Sequence, residues 1–150
     1  MTGFSSKVWG PSAWLFLHIV TMSYDPSRKS HYKKFFHSLQ HVLPCKKCRI
    51  NYSNIISNGP LKLKNSTFSN KSSLSSWLFK VHDKVQYDIY KSSSSSFDKP
   101  IVKSVKFWSN FYNKFKGKCN KYGCFSKKFI TTITISKYFA RKAQTSIKIK

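Results

Sequence analysis

Apolar side chains recur along this chain at the three- and four-residue intervals of helices, and the intervals end at recognisable stops. Trp14, Leu15, Leu17, His18 and Met22 share much of one face, with Pro11-Ser12 suited to open the helix and Asp25-Pro26 to close it. A second run from Ser30 carries Phe35, Phe36, Leu39 and Val42 and stops at Pro44, which has no N–H to continue a helix interior. The segment from Cys45 to Ile56 restarts as a helix, and Asn58-Gly59-Pro60 breaks it. Leu74, Trp77, Leu78, Val81, Val85 and Ile89 then mark the apolar side of a helix from Leu74 to Tyr90. The serines from Ser92 to Ser96 read as a flexible loop, and a last helix is expected over Val102 to Phe115 with Trp108, Phe111 and Phe115. Phe129 to Ile135 reads as a strand or buried segment within a basic tail. The pattern predicts an all-α fold, a bundle of four or five short helices over residues 1–112, followed by a basic, less ordered extension over 113–150.

Composition supports a packed core: of 150 residues, 40% are hydrophobic and 17% aromatic. Charge is lopsided, with 28 Lys+Arg against 4 Asp+Glu and a formal net charge of +24. Such a surface attracts polyanions non-specifically, so a nucleic-acid or virion-associated binding protein is one reading. The lysines, however, run from Lys7 to Lys150 without concentrating, and the arginines are only Arg28, Arg49 and Arg141. Together with abundant Ser, Asn, Ile, Phe and Tyr, this spread resembles the codon bias of an AT-rich genome, as in some large DNA viruses. Met1 to Gly10 lacks the apolar core of a signal peptide, and no stretch approaches the ~20 apolar residues of a membrane span. The expectation is a soluble cytoplasmic protein without a transmembrane segment, in a compartment where a close cysteine pair is catalytic or metal-binding rather than structural.

The cysteines form two local pairs, Cys45-Lys-Lys-Cys48 and Cys119-Asn-Lys-Tyr-Gly-Cys124. Two intervening residues at a helix start bring the sulfurs of Cys45 and Cys48 within bridging reach, and the helix terminus with Lys46 and Lys47 favours the attacking thiolate. A four-sulfur structural zinc site is the alternative use of two pairs, although seventy residues separate Cys48 from Cys119 and the second pair has the wider spacing. A thioredoxin-like fold would need strands alternating with helices around the pair, and the pattern shows none.

Three clusters accompany the first pair: Trp9-Gly10 with Trp14 and His18, Pro44-Cys45-Lys46-Lys47-Cys48 with Tyr52, and Trp77 with His82-Asp83-Lys84-Val85-Gln86. In that order they resemble the Erv/ALR family of FAD-linked sulfhydryl oxidases. The family's WGxxxWxxxH is matched by Trp9, Gly10, Trp14 and His18, and its PCxxC by Pro44, Cys45 and Cys48. Its W…HNxVNxxL…K is matched by Trp77, His82, Val85, Ile89 and Lys91, with Asp83 and Gln86 in place of the asparagines and Lys71 in place of an arginine. The likeness extends from about Trp9 to Trp108.

The resemblance implies a helical bundle that holds bent FAD with the CxxC against its ring, commonly as a homodimer. It assigns Trp14, His18, His82 and Trp108 to the adenine, ribose and flavin, Val85 to the ring's apolar lining, and Lys71, Lys91 or Lys99 to the pyrophosphate. Asp83 would face a ribose hydroxyl or be balanced by a lysine, and Gln86 keeps an amide. A long-range disulfide common in relatives is lost, because Phe79 stands where its first cysteine would be. The implied reaction forms disulfide bonds in thiol-containing substrate proteins: a dithiol attacks Cys45, Cys48 passes electrons to FAD, and oxygen takes them up as hydrogen peroxide. Some relatives carry a CX4C pair beyond the bundle, which makes Cys119 and Cys124 a candidate shuttle. No resident metal is expected on this reading.

Overall fold

The computed structural model describes residues 4–92, 104–113, 116–121 and 123–126. Five α-helices occur among them: α1 (Ser6–Met22), α2 (Lys29–Val42), α3 (Lys46–Ser57), α4 (Lys71–Ser92) and α5 (Val105–Asn113). Two short 3-10 turns, Pro26–Arg28 and Asn65–Phe68, connect them. The all-α expectation holds for the bundle. The sequence pattern did not announce the antiparallel hairpin of β1 (Gly117–Asn120) and β2 (Gly123–Ser126), which lies in the extension expected to be less ordered. By compactness the chain divides into Met1–Pro100 and Ile101–Lys150, so α5 groups with the residues after it. The remaining serine loop, Lys99 and Phe129 to Ile135 lie outside the described residues.

In the first unit α1 packs on α4 and α2 on α3. Leu17 from α1, Phe36 and Leu39 from α2, Tyr52, Ile55 and Ile56 from α3, and Leu74, Leu78 and Val81 from α4 meet in one core. Phe36 is its hub, wholly buried, with the Trp77 ring edge-on at 5.5 Å and Phe68 at 6.4 Å. Each such buried aliphatic or aromatic side chain contributes about 1.5–3 kcal/mol. Two hydroxyl clamps join separate segments: Tyr52 Oη donates to the Phe36 carbonyl at 2.9 Å, and Tyr24 Oη to the Phe68 carbonyl at 2.7 Å.

Two expectations need correction. Helix α1 begins at Ser6, ahead of Pro11, which sits inside it. A proline this early removes only its own bond to the Lys7 carbonyl, while Ser5 accepts from the Val8 and Trp9 amides at 3.0 and 3.4 Å and secures the first turn. Ile89 is 58% exposed rather than on the buried side of α4, because the packed stripe of that helix ends near Val85. The expected break at Asn58-Gly59-Pro60 does occur, and Gly59 takes a φ of 68° that favours glycine.

Candidate redox site

Pro44 creates the site's backbone. The residue before a proline is pushed out of the helical region, and Leu43 has a ψ of 135°, so α2 ends there. Cys45 continues extended, with φ −113° and ψ 124°, and serves as the N-cap of α3. Its sulfur accepts from the Cys48 backbone N–H at 3.2 Å. Cys45 and Cys48 are joined as a disulfide with their Cα atoms 5.1 Å apart. Helix N-termini ordinarily favour anions, yet the first turn of α3 contains Lys46 and Lys47 and no acid. Once the bridge opens, the N–H, the helix terminus and these lysines all stabilise negative charge on the Cys45 sulfur.

Cys45 as N-cap and Cys48 in the first turn open α3, and both are half-buried. Cys48, Tyr52, Ile55 and Ile56 recur at the spacing of one helical face, and the last three are core residues. Cys45 precedes Arg49 and Ser53 by four and eight positions, and both of these are half-buried as well.

A second arrangement lies between α1 and α4. Gly10, Trp14, His18 and Thr21 form a stripe on α1, and Phe79, His82 and Gln86 one on α4. Trp14 stacks on His82 with ring centroids 4.0 Å apart and planes 10° from parallel. Phe79 stacks on His18 at 4.5 Å. His18 Nε2 and His82 Nδ1 are 3.0 Å apart, and Gln86 Nε2 is 2.9 Å from His82 Nε2. With the Gln86 amide in that orientation it donates, so His82 Nε2 accepts, its Nδ1–H donates, and His18 Nε2 accepts in turn. Burial holds His18 well below the ordinary histidine value, at about 3, which keeps it neutral.

The remaining sequence candidates are placed less uniformly. Trp77 is buried in the core, and its indole donates to the Leu61 carbonyl at 2.8 Å. Tyr52 is likewise a core residue, with its hydroxyl spent on Phe36 and its ionisation pushed up by burial. Trp9 donates its indole N–H to the Phe4 carbonyl at 3.2 Å. Val85 packs against the core, and Asp83 is half-buried on α4. Lys71 opens α4 and Lys91 lies in its last turn, both exposed; at 1.5 Å per residue they are about 30 Å apart, so one pyrophosphate meets at most one of them. In the second unit, Trp108 is buried and stacks with Tyr112 at 6.0 Å. Cys119 is disulfide-bonded and stands opposite Cys124 in the hairpin register.

The α1–α4 face suits a flat aromatic group. Gly10 is buried, yet a methyl built on it meets no atom within 4 Å, so the backbone borders open space. The half-buried Trp14 indole on its histidine offers a stacking surface one turn away. Sequence reasoning selected Trp14, His18, His82 and Gln86 singly but missed their hydrogen-bonded chain. The i,i+4 spacing of His82 and Gln86 was the available signal for half of it. Among the described residues, no group of three or more His, Cys, Asp or Glu could hold a metal ion, and no helix is long and apolar enough to cross a membrane.

Comparison with known proteins places these features in one family. The model described as the Erv1 / Alr family matches residues 11–113. That stretch includes the CxxC and both helix stripes except Gly10; Trp9 precedes it, and Cys119 and Cys124 follow it. A protein of Acanthamoeba polyphaga mimivirus described as a "probable FAD-linked sulfhydryl oxidase" is 37% identical over 87 residues. The matched stretch covers 55% of this chain and 59% of that relative's length.

Proposed function

The chain belongs to the Erv1/Alr family, and from that premise we propose that it is an FAD-dependent thiol oxidase that forms disulfide bonds in substrate proteins. The observation that carries this reading is the Cys45–Cys48 disulfide at the N-terminus of α3. A substrate thiolate attacks the Cys45 sulfur, the Cys45–Cys48 bond breaks, and Cys48 leaves as a thiolate. The substrate's second thiolate then displaces Cys45, leaving an oxidised substrate and two reduced sulfurs. The place of Cys45 at the helix terminus beside Lys46 and Lys47 supports its role as entry point, and the recurrence of Cys48 at helical spacing with the core residues Tyr52, Ile55 and Ile56 supports a role as relay.

Trp14, His18, His82 and Gln86 hold the FAD on this reading, with Gly10 leaving room and either Lys71 or Lys91 balancing phosphate charge. The chemistry FAD supplies when bound is acceptance of two electrons from the reduced pair and their delivery to oxygen, with hydrogen peroxide as product. The protein's own contribution is sulfur placement, a positive field around Cys45, and a neutral imidazole chain that orients ring edges without adding charge.

A homodimer is part of the proposal. Val8 and Phe16 on α1 are 79% and 57% exposed, and Ile19 stands beside them. Phe16 meets Phe35 of α2 edge-on at 6.4 Å, which makes an apolar face spanning two helices. Oxygen consumption with dithiothreitol tests the activity, alongside the visible flavin absorbance of the purified protein. Wild type should bind flavin and consume oxygen, and Cys48→Ser should keep the flavin but lose turnover. A colourless protein with no oxygen uptake refutes the proposal.

A further inference from the structure

Helices α2 and α3 leave a shallow depression lined by Gln40, His41, Arg49, Ile50, Ser53 and Asn54. Ser53 Oγ donates to Gln40 Oε1 at 2.9 Å, joining the two helices across it. Arg49 Nη1 donates to the Leu43 carbonyl at 2.5 Å, which ties the depression to the segment that delivers Cys45. Arg49 and Ile50 follow Cys45 and Lys46 by four positions, so they lie one turn, about 5.4 Å, further along the same face.

Apolar surface and charge both select an occupant. Ile50 is 54% exposed and Val42 67%, aliphatic side chains left in water within five positions of Cys45 in the chain. Lys46, Lys47 and Arg49 surround the pair, and no Asp or Glu occurs from residue 29 to 57. The chain's only acids are Asp25, Asp83, Asp88 and Asp98, so neither this chain nor a second copy supplies an acidic run.

We propose that this depression is the docking groove for the substrate polypeptide, and that its occupant is an acidic cysteine-bearing segment of another protein with an aliphatic residue close to the reactive cysteine. The proposal rests on the thiol-oxidase reading and narrows its substrate class. An extended chain advances about 3.3 Å per residue, so the side chain two positions from a cysteine engaged at Cys45 reaches Ile50. Acidic flanks meet Lys46, Lys47 and Arg49 and raise the encounter rate at low ionic strength. The dithiol of that segment provides two electrons and two protons, its own sulfurs become a disulfide, and the Cys45–Cys48 bond is reduced.

The test uses the full-length flavin-loaded protein and measures kcat/KM by oxygen uptake. Its probes are dithiothreitol and a set of Cys-x-x-Cys peptides with Asp or Lys flanks and with Leu or Ser two positions before the first cysteine. At low salt the Asp-flanked peptide should exceed the Lys-flanked one about tenfold, and the gap should close near 1 M salt, where screening shortens to about 3 Å. The Leu peptide should exceed the Ser peptide several-fold, and in Ile50→Ser that ratio should fall toward one, a readout that partial misfolding does not move. Equal rates for the two flanks, or a Leu preference untouched by Ile50→Ser, overturn the groove while dithiothreitol oxidation leaves the oxidase reading standing. Failure to oxidise dithiothreitol overturns that reading and the groove with it.

Discussion

Trp14 lies flat on His82, a residue from the other end of the bundle's sequence, with ring centroids 4.0 Å apart. The stack is locked from behind, because His82 also meets His18 at 3.0 Å and Gln86 at 2.9 Å through its two ring nitrogens. Gln86→Leu removes one partner and releases the tautomer of His82. Nitrogen-15 chemical shifts of the His82 ring should then report mixed tautomers. FAD affinity, read by flavin fluorescence, should fall about 5- to 30-fold, the equivalent of about 1–2 kcal/mol for one hydrogen bond. An unchanged tautomer and an unchanged dissociation constant would remove Gln86 from the site.

The two sulfurs should behave differently when one is removed. A Cys48→Ser protein leaves the Cys45 sulfur able to hold a substrate as a mixed disulfide, with no neighbour to resolve it. Incubation with an oxidised peptide and intact mass spectrometry should show one adduct on Cys48→Ser and much less on Cys45→Ser. Equal labelling of both variants would contradict the assignment of Cys45 as the sulfur that meets substrate.

His18 makes stability depend on pH in a definite direction. Its folded value of about 3 lies below the ordinary 6.5 because burial disfavours the charged ring. Between those values the unfolded chain holds a proton that the folded chain does not, so stability is present above pH 6.5 and is lost as pH falls toward 3. The slope from this group is about 1.4 kcal/mol per pH unit, or about 2 kcal/mol between pH 6.5 and 5. Urea unfolding at both pH values should show that loss in wild type and a shallower one in His18→Gln.

Tyr52→Phe isolates a structural role. The Tyr52 hydroxyl donates to the carbonyl of Phe36, an atom inside α2, so removing it deletes a buried bond without touching the sulfurs. Unfolding should show a loss of about 1 kcal/mol, with the helical circular dichroism unchanged. If flavin affinity also falls steeply, Tyr52 acts on the cofactor as well as on the core.

Local rules were enough for much of this protein. Pro44 after an apolar helical run dictates a stop at Leu43, an extended Cys45 and a new helix start, because proline restricts its neighbour whatever the fold. Apolar recurrence located the five helices, though not all of their ends, and the ordered motifs from Trp9 to Lys91 carried the family likeness. Pro11 shows the limit: its position suggested a helix start, but securing the first turn at Ser5 and burying Gly10 and His18 outweighed one missing hydrogen bond.

Tertiary packing decided what spacing leaves open. Trp77 and Tyr52 match the family motif as well as Trp14 does, yet they lie in the core with polar atoms bonded to Leu61 and Phe36. Which aromatic meets the core and which faces open space depends on the rotation of each helix against its neighbours, and that is set by the summed burial of all its side chains. The imidazole chain of His18 and His82 has the same origin, since 64 positions separate the two residues and only the packing of α1 on α4 brings them within 3.0 Å.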